Sequence, residues 1–460
     1  MASFLVSVRE KAFFVFSRGF EYTDKKKGIT MNYDESLHFI LDTPNPGAVF
    51  ERNVNEALLK RLGNPETKIP HFVHVAGTNG KGSASAFMAS VLRKAGYRTG
   101  LYTSPFIQRF NERIQVNGVQ IPDDVLAEIT TEIADATEYI MASGMRRPTI
   151  FELITALGFM YFARMECDVV VLEVGMGGRL DATNVIRVPD VALIMNIGYD
   201  HMEFLGDTLE LIAGEKAGII KPGGDIVVYG QTPGVEKVFE DVCRERGCTM
   251  RIADSSLAEV ISSGVEGTRF NYKDRSDLFI SLLGKYQVSN VTVAIEACDV
   301  LREKGFHITE ENLRDGLRDA YWPGRMELLR RDPVVIVDGA HNPQGVQALC
   351  ESLETLFPGE KFTFVIGVLA DKDYSGDIAI AAPHAKKFYT VTPPSYRALA
   401  GDSLADEIRK NTDVPVIPCA AIPSALDTVL AESSADDKIA IFGSLYQECE
   451  VRAYFGRNVF

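Results

Sequence analysis

The segment from His71 to Ser83, HFVHVAGTNGKGS, places an apolar run directly before a glycine-rich turn. The run Phe72–Val75 predicts a buried strand, and Ala84–Lys94 predicts the helix that follows the turn. Glycine permits the backbone conformations that such a tight turn requires. Because a buried strand followed at once by a helix is the unit of a parallel sheet covered by helices, we expect an α/β fold.

The same turn has the chemistry of a phosphate-binding loop. Its backbone N–H groups, the positive end of the following helix and the Lys81 ammonium would together hold a triphosphate. The standard phosphate-loop pattern has a longer spacing before its Gly-Lys pair, whereas only Thr78 and Asn79 separate Gly77 from Gly80 here. The sequence therefore predicts a tighter variant of the loop. The alternative is a glycine turn that only joins a strand to a helix.

The composition is that of an ordinary globular chain. It has 460 residues, 46% hydrophobic and 24% charged, which is enough for roughly two or three domains. The formal net charge is −15 without a long basic run, so duplex nucleic acid and anionic membranes are poor partners. The seven cysteines are scattered without a Cys-x-x-Cys pair. Scattered thiols indicate a reducing compartment, and we expect the cytoplasm.

Residues 1–30 are expected to form an amino-terminal extension. Their apolar stretch is too short and too interrupted by charge for a membrane span. From Met31 onward, Tyr33, Leu37 and Ile40 follow the spacing of an amphipathic helix.

Strand-like apolar runs then alternate with helical patterns, which predicts a mostly parallel sheet flanked by helices. The clearest strands of the first half are Cys167–Val174 and Val191–Ile197, and Ile226–Tyr229 adds another. Between Arg251 and Ile280 the sequence is polar and β-like, and it predicts an antiparallel edge. The predicted helices that follow are Val291–Lys304 and Glu311–Ala320.

A break at Tyr321-Trp322-Pro323-Gly324 predicts a domain boundary, because Pro and Gly interrupt the pattern there. We therefore expect one domain over residues 31–322 and a second over residues 323–460. The predicted strands of the second half are Val334–Val337, Phe362–Val368, Lys387–Thr392 and Lys438–Ile441. This alternation predicts a smaller doubly wound domain.

Glu173 lies at the end of the Cys167–Val174 strand and precedes the glycine-rich turn Gly175–Gly178. Ligands of open parallel sheets bind beyond the carboxyl ends of the strands, so Glu173 would lie beside the phosphate loop, where its oxygens could bind magnesium. The alternative is a strand-terminal carboxylate that accepts hydrogen bonds from the glycine turn.

His201 follows the Val191–Ile197 strand and should lie on the same rim as Glu173, where both could bind one cation. The alternative is a structural histidine. Lys216 follows in the sequence EKAGIIK. A lysine near a magnesium site must be paired, displaced or chemically altered, because two like charges repel.

Two candidates lie near the predicted domain boundary. Arg325 could place its guanidinium on a nucleotide phosphate across the cleft, and Asp338 could accept a hydrogen bond from a ribose hydroxyl. The alternative for Arg325 is a salt bridge at a hinge.

Together these segments resemble the folylpolyglutamate synthase and dihydrofolate synthase family, ATP-dependent amide ligases within the muramyl-ligase superfamily. The resemblance extends from about Met31 to about Gly443. Its motifs are GTNGKGS, LYTSPF, FNERI, FE, EVGMGGRLDATN, DH, EKAGIIK, WPGR, DGAHNP and GSLY. It implies a P-loop ATPase-like amino-terminal domain with a mostly parallel sheet and a smaller Rossmann-like carboxy-terminal domain, with ATP and the substrates between them.

The resemblance also implies roles for individual residues. The residues implied to bind ATP are Thr78, Asn79, Gly80, Lys81, Gly82, Ser83, Asn290, Arg325 and Asp338. The implied magnesium ligands are Ser104 and Glu173 for one ion and His201 for a second, with Lys216 supporting the pair as a carbamate. The residues implied to act in catalysis are Lys81, Glu173, His201 and Lys216. The implied pterin-binding residues are Leu180, Asp181 and Ala182, and those implied for glutamate are His341 and Asn342.

The resemblance further implies that the protein adds L-glutamate to a folate or to dihydropteroate through an acyl phosphate, using ATP and two magnesium ions, as a monomer. Two alternatives remain. A cell-wall muramyl ligase would carry a separate uridine-nucleotide domain before the phosphate loop, and residues 31–76 are too few for one. A regulatory ATP-binding protein would hydrolyse ATP without ligating anything.

Overall fold

The computed structural model describes residues 30–43 and 52–457. The predicted amino-terminal extension lies, apart from Thr30, outside the described residues. Within those two ranges, no helix is both long and apolar enough to cross a membrane.

Eight of the strands in the described ranges form one large sheet. In chain order they are β1 (His71–Ala76), β2 (Thr99–Tyr102), β3 (Ile114–Val116), β4 (Val119–Gln120), β5 (Val169–Glu173), β6 (Val191–Ile194), β7 (Asp225–Tyr229) and β8 (Thr249–Ala253). Their spatial order is β4-β3-β2-β5-β1-β6-β7-β8. The strands from β2 to β8 in this order are parallel, and β3 and β4 add an antiparallel edge.

The central strand β1 aligns the carboxyl ends of its neighbours. Val75 of β1 pairs with Glu173 of β5, and Ala76 of β1 pairs with Ile194 of β6. The segments that leave these three strands therefore start at the same edge of the sheet, which is where open parallel sheets bind their ligands. This register brings together the phosphate loop, Glu173 and the segment leading to His201.

Helices cover the large sheet, and alternate residues of β1 contact different helical layers. The helices are α1 (Tyr33–Leu41), α2 (Arg52–Arg61), α3 (Lys81–Lys94), α4 (Asp123–Ala142), α5 (Ile150–Arg164), α6 (Met202–Leu205), α7 (Leu209–Lys216), α8 (Pro233–Arg246), α9 (Lys285–Glu303) and α10 (Glu310–Arg318). Phe72 belongs to the core built with α4 and α5, whereas Val73 belongs to the core built with α3 and α9.

The segment between Arg251 and Ile280 is β-structure, as predicted, but most of it forms a separate antiparallel sheet. That sheet comprises β9 (Ala258–Gly264), β10 (Gly267–Tyr272) and β11 (Arg275–Ile280) in the order β11-β10-β9. The expectation that it forms an edge was wrong for these strands. Phe270 and Ile280 pack into the core beside α9 and α10, so burial against helices, not pairing with the large sheet, determines their position.

A second sheet of six strands follows in the described part of the chain. Its strands are β12 (Glu327–Arg331), β13 (Val334–Val337), β14 (Phe362–Ile366), β15 (Ala385–Thr390), β16 (Val416–Pro418) and β17 (Lys438–Phe442), in the order β12-β13-β17-β14-β15-β16. All are parallel except β12, which runs antiparallel to β13. Its helices are α11 (Pro343–Leu356), α12 (Tyr374–Ala381), α13 (Gly401–Asn411), α14 (Ile422–Glu432) and α15 (Leu445–Tyr454).

The predicted fold class is confirmed: both sheets are mostly parallel and the second is smaller. The four strands predicted for the second half are present, with ends that differ by a few residues. The sequence did not reveal the outer strands β12 and β16. Strand β12 has three charged residues among its five, and strand β16 is short and ends in proline. Neither strand therefore shows the apolar pattern of a buried strand.

Candidate active site

The loop between β1 and α3 has the conformation that its glycines predict. Gly77 has a φ of 149° and Gly80 a φ of 86°. A side chain at Gly77 would lie 2.6 Å from Cβ of Met195, and one at Gly80 would lie 2.5 Å from Oδ1 of Asn290. Both positions therefore exclude a side chain on two grounds, the positive φ and the lack of space. Helix α3 begins at Lys81, three residues before its predicted start, because Gly80 caps the helix.

Lys81 folds back over this loop. Its Nζ donates to the carbonyl oxygens of Gly77 at 3.0 Å and Thr78 at 3.1 Å. Thr78 in turn joins the loop to the segment after β6, since its hydroxyl donates to the carbonyl of Gly198 at 3.1 Å. The Lys81 ammonium group is thus held at the loop, beside the ends of β1 and β6.

Lys216 reaches the same loop from the end of α7. The residue is 4% exposed, and its Nζ donates to the carbonyl oxygen of Gly77 at 3.0 Å. Burial, followed by repulsion from Lys81, lowers the pKa of Lys216 to about 7, against the opposing effect of Asp200. Near neutral pH a substantial fraction of the amine is therefore in its uncharged, nucleophilic form.

His201 lines the same pocket as these lysines. It has a φ of 49° and directly precedes helix α6 as its N-cap residue, and its Nε2 is 3.7 Å from Oδ2 of Asp200. Burial, opposed by Asp200 and reinforced by nearby lysines, lowers the pKa of His201. A neutral imidazole offers a nitrogen lone pair to a metal ion. The pocket that these residues line also includes Lys81 and Lys216.

Glu173 lies in an adjacent pocket with Ser104, Trp322 and Arg325. The residue is 3% exposed, and its Oε2 accepts a hydrogen bond of 3.3 Å from the N–H of Ser104. Burial raises the pKa of Glu173 to about 7, although Lys81 and Arg325 oppose the increase. A carboxylate this deeply buried gains from any further cation bound beside it.

Asn290 and Ser83 are connected through a side chain that the sequence did not single out. Gln287 of α9 donates from Nε2 to Oγ of Ser83 at 3.1 Å and accepts at Oε1 from Asn290 at 3.0 Å. Gly82, between Lys81 and Ser83, packs under Trp322: a side chain there would lie 2.5 Å from Cζ2 of the indole. Helix α9 and the segment after α10 therefore both close over the start of α3.

Asp338 is buried at the end of β13. Its Oδ2 accepts from the N–H of Met326 at 2.8 Å and the hydroxyl of Tyr286 at 3.1 Å, and its Oδ1 accepts from the N–H of Ala340 at 2.8 Å. The carboxylate thus fixes the turn that carries Arg325. Tyr286 has no sequence signal of its own, since its role depends on the packing of α9 against the second sheet.

The residues implied to bind the pterin lie just after Glu173, and one of them, Asp181, fixes the turn there through hydrogen bonds. Asp181 accepts at Oδ1 from the N–H of Thr183 at 2.9 Å and at Oδ2 from the N–H groups of Gly175 and Met176 at 3.1 Å each. The carbonyl oxygen of Ala182 accepts from the Asn55 side chain at 2.9 Å, whereas Leu180 is partly exposed.

His341 and Asn342 lie at the start of α11, in the second sheet's layer. Nδ1 of His341 is 2.7 Å from the carbonyl oxygen of Gly339, and Oδ1 of Asn342 accepts from the N–H of Gly345 at 2.7 Å as the helix cap. Two residues further on, Gln344 contacts the phosphate loop: its Oε1 accepts from Nδ2 of Asn79 at 2.8 Å. The start of α11 therefore faces the phosphate loop.

The donor groups of the two pockets fit magnesium. Within residues 30–43 and 52–457, no group of three or more His, Cys, Asp or Glu residues could enclose a metal ion. Magnesium does not need such a group, because it usually takes one or two protein ligands and completes its shell with phosphate oxygens and water. Ser104 with Glu173, and His201 with a modified Lys216, would supply sets of this size.

Comparison with known proteins extends these observations over both sheets. The model of the Mur ligase middle domain matches residues 75–298, and that of the Mur ligase glutamate ligase domain matches residues 324–445. The chain is 37% identical to the folylpolyglutamate synthase of Lacticaseibacillus casei, covering 92% of this chain and 98% of the relative. It is 36% identical to the dihydrofolate synthase/folylpolyglutamate synthase of Bacillus subtilis, covering 86% of this chain and 92% of the relative.

A similar solved structure is the Mycobacterium tuberculosis folylpolyglutamate synthase complexed with ADP and AMPPCP. It superimposes with a TM-score of 0.83 at 30% identity, covering 93% of this chain and all of the other. The likeness therefore extends over both sheets.

Proposed function

Because this chain belongs to the folylpolyglutamate synthase and dihydrofolate synthase family of Mur ligases, we propose that it joins L-glutamate to a folate, to dihydropteroate or to both, at the expense of ATP. The observation that carries this proposal is the meeting of Lys81, Lys216 and Glu173 at one edge of the large sheet. A phosphoryl-transfer site needs a phosphate-binding loop, a positively charged side chain and a metal-binding carboxylate close together.

The reaction begins with activation of the acceptor's carboxylate. A carboxylate resists attack by amines at neutral pH, so it first takes the γ-phosphoryl group of ATP in line and becomes an acyl phosphate. The N–H groups of the phosphate loop and the Lys81 ammonium stabilise the negative charge of the moving phosphoryl group. Asn290, Arg325 and Asp338 are proposed to bind the nucleotide beside them.

Two magnesium ions are proposed to neutralise phosphate charge when bound. Ser104 and Glu173 would hold one ion and His201 the second. Lys216 is proposed to carry a carbamate, which replaces its positive charge with a negative one. Because carbon dioxide reacts with the unprotonated amine, the lowered pKa of Lys216, about 7, favours this modification.

Amide formation completes the reaction. The uncharged amine of glutamate attacks the acyl carbon and forms the new C–N bond. The tetrahedral intermediate then collapses as the C–O bond to phosphate breaks, phosphate leaves, and the nitrogen loses a proton to give the amide. His341 and Asn342, which lie at the end of α11 that faces the phosphate loop, are proposed to bind the incoming glutamate. Leu180, Asp181 and Ala182 are proposed to bind the pterin, beside the turn that follows Glu173.

The remaining proposals concern the domains, the oligomeric state and the cellular location of the protein. We propose an ATP-binding ligase domain over residues 31–322 and a Rossmann-like domain over residues 323–460, with the cleft between them as the active site. We also propose that the protein acts as a monomer in the cytoplasm.

Product masses test the proposed function. Purified protein is incubated with ATP, magnesium, glutamate and either dihydropteroate or tetrahydrofolate, and the acceptor is analysed by mass spectrometry. We expect one or more glutamyl residues on at least one acceptor, only when ATP is present. An unchanged mass of both acceptors, with ATP consumed, would contradict the proposal.

A further inference from the structure

Glu448, on helix α15, is a buried carboxylate without a hydrogen-bond donor. Its exposure is 0%, and neither of its oxygens has a hydrogen-bond partner within the described ranges of the chain. Buried carboxylates are normally paired or hydrogen-bonded, because desolvation of an unpaired charge is costly. The position of Glu448 therefore calls for a compensating group.

The nearest turns show which group that is. A side chain at Gly324 would collide with Oε2 of Glu448. One at Gly339 would collide with Nη1 of Arg325 and lie 2.6 Å from Oε1 of Glu448. The carboxyl group of Glu448 and the guanidinium of Arg325 therefore face each other across the space beside Gly339, without a hydrogen bond between them.

The other charged groups nearby already have partners. Glu327 accepts from Nε of Arg452 at 2.8 Å, and Asp338 accepts from two backbone N–H groups and a tyrosine hydroxyl. Arg325 is thus the cation available to Glu448. Burial acts to lower the pKa of Arg325, but the nearby acidic groups, with Glu448 first and Asp338 second, together outweigh burial and raise it.

Arg325 also faces the pocket that contains Glu173 and Trp322. Its flexible side chain loses rotamer freedom when it binds a phosphate, and a partner that holds it in place beforehand reduces that loss. Few other groups restrain it: its one hydrogen bond in the described residues is a long one, 3.5 Å from Nη1 to the carbonyl of Gly324.

We propose that Glu448 is a positioning residue that holds the guanidinium of Arg325 at the wall of the nucleotide pocket and thereby increases the affinity for ATP. This inference rests on the proposed function, in which Arg325 binds the nucleotide. A positioning role of Glu448 is distinguishable from direct electrostatic repulsion between its charge and the bound nucleotide. Removal of a negative charge near a polyanion would by itself strengthen binding, whereas loss of positioning weakens it.

Glu448→Leu and Glu448→Gln test the proposal. Trp322 is the only tryptophan of the chain and lines the pocket, so its fluorescence follows titration with a non-hydrolysable ATP analogue in the absence of folate and glutamate. We expect the leucine variant to bind about tenfold more weakly. The glutamine variant should lose less, because its side-chain oxygen keeps a partial negative charge that faces the guanidinium of Arg325.

Unfolding temperature separates positioning from a structural role. Removal of one member of a buried charge pair destabilises a protein, because the other charge is left uncompensated, so the leucine variant is expected to unfold at a lower temperature. Glu448→Gln keeps the size and polarity of the side chain, and we therefore expect it to weaken nucleotide binding at an unfolding temperature close to that of the wild type. Asp377→Asn is the matched control, because Asp377 is also buried, 1% exposed, and its two oxygens have no hydrogen-bond partner in the described ranges.

The outcomes are distinct. If the wild type gives no fluorescence response and no binding by calorimetry, the proposed function fails and this role fails with it. If the wild type binds and Glu448→Leu binds equally well or better, only the positioning role is overturned. Weaker binding with a parallel fall in unfolding temperature in both variants would show a structural role instead. If the leucine variant does not fold, the glutamine variant alone decides by the same criteria.

Discussion

Lys81 and Lys216 share one hydrogen-bond acceptor: the Nζ of each lies 3.0 Å from the carbonyl oxygen of Gly77. Two ammonium groups at one carbonyl repel each other, and Lys216 is the more deeply buried of the two. This arrangement explains why the pKa of Lys216 falls to about 7. It also makes Lys216 the amine of this site that is suited to react with carbon dioxide.

We predict that bicarbonate increases ligase activity and that the increase grows as the pH rises through about 7, because the uncharged fraction of the Lys216 amine grows with pH. The initial rate is measured in buffer depleted of carbon dioxide and in the same buffer with bicarbonate. Lys216→Arg keeps a positive charge but forms no stable carbamate, and we expect it to lose at least about a hundredfold in rate. A carbamate signal absent from the ¹³C-bicarbonate NMR spectrum would contradict the modification.

Two neighbouring glycines should respond in opposite ways to alanine. Gly218 packs on the backbone of Arg179, where a side chain would lie 2.5 Å from the Arg179 nitrogen, whereas Gly214 in the exposed part of α7 has open space. Gly218→Ala should destabilise the protein by about 1–3 kcal/mol and lower activity, since Lys216 is displaced. Gly214→Ala should stabilise it by about 0.5–1 kcal/mol. Denaturant unfolding measures both, and equal effects would refute the packing role of Gly218.

The contact between Gln344 and Asn79 should couple the second sheet to the phosphate loop. Gln344→Ala removes a 2.8 Å hydrogen bond, and a loss of about threefold to tenfold in kcat/KM for ATP is expected from the usual worth of such a bond. Gln347→Ala, on the same helix and paired with Glu351, is the control and should leave kcat/KM unchanged. Equal kcat/KM values for the two variants would show that Gln344 does not contribute to the active site.

Asp377 should make stability depend on pH. Burial, reinforced by Asp373 and opposed by Lys372, raises the pKa of Asp377 from 3.8 to about 7. The folded state therefore holds a proton that the unfolded state has released, so the contribution of Asp377 to stability is greatest below about pH 4 and falls as the pH rises through about 7. The decrease is at most about 4 kcal/mol.

Asp377→Asn should remove this decrease, which denaturant unfolding at about pH 5 and about pH 8 measures against the wild type. Parallel pH profiles for the two proteins would show that the carboxyl does not titrate as described.

The sequence predicted the parts of the site that depend on short segments. The phosphate loop, the strand ending at Glu173 and the segment carrying His201 each follow from a few adjacent residues, and the parallel arrangement of their strands places them at one edge. The strands found in the second half were also predicted wherever they are buried and apolar, as for Val334–Val337 and Lys438–Phe442.

The rest depends on contacts between residues far apart in the chain. Tyr286, Gln287 and Gln344 have no local signal, because each acts only where α9 or α11 packs beside another element. The same holds for Glu448, which lies near Arg325 in the fold although more than a hundred residues separate them in the chain. The separate antiparallel sheet was likewise unpredictable, since alternation along a strand indicates a buried face but not the surface that covers it.

Glutamate dependence of ATP turnover distinguishes a ligase from an ATP-hydrolysing regulatory protein. ADP release is measured with magnesium, with and without glutamate and a folate or pteroate acceptor, for the wild type and Lys81→Ala. We predict that the wild type releases ADP rapidly only when both substrates are present and that Lys81→Ala shows no such release. ADP release at the same rate without glutamate and acceptor, or full turnover by Lys81→Ala, would contradict ligation at this site.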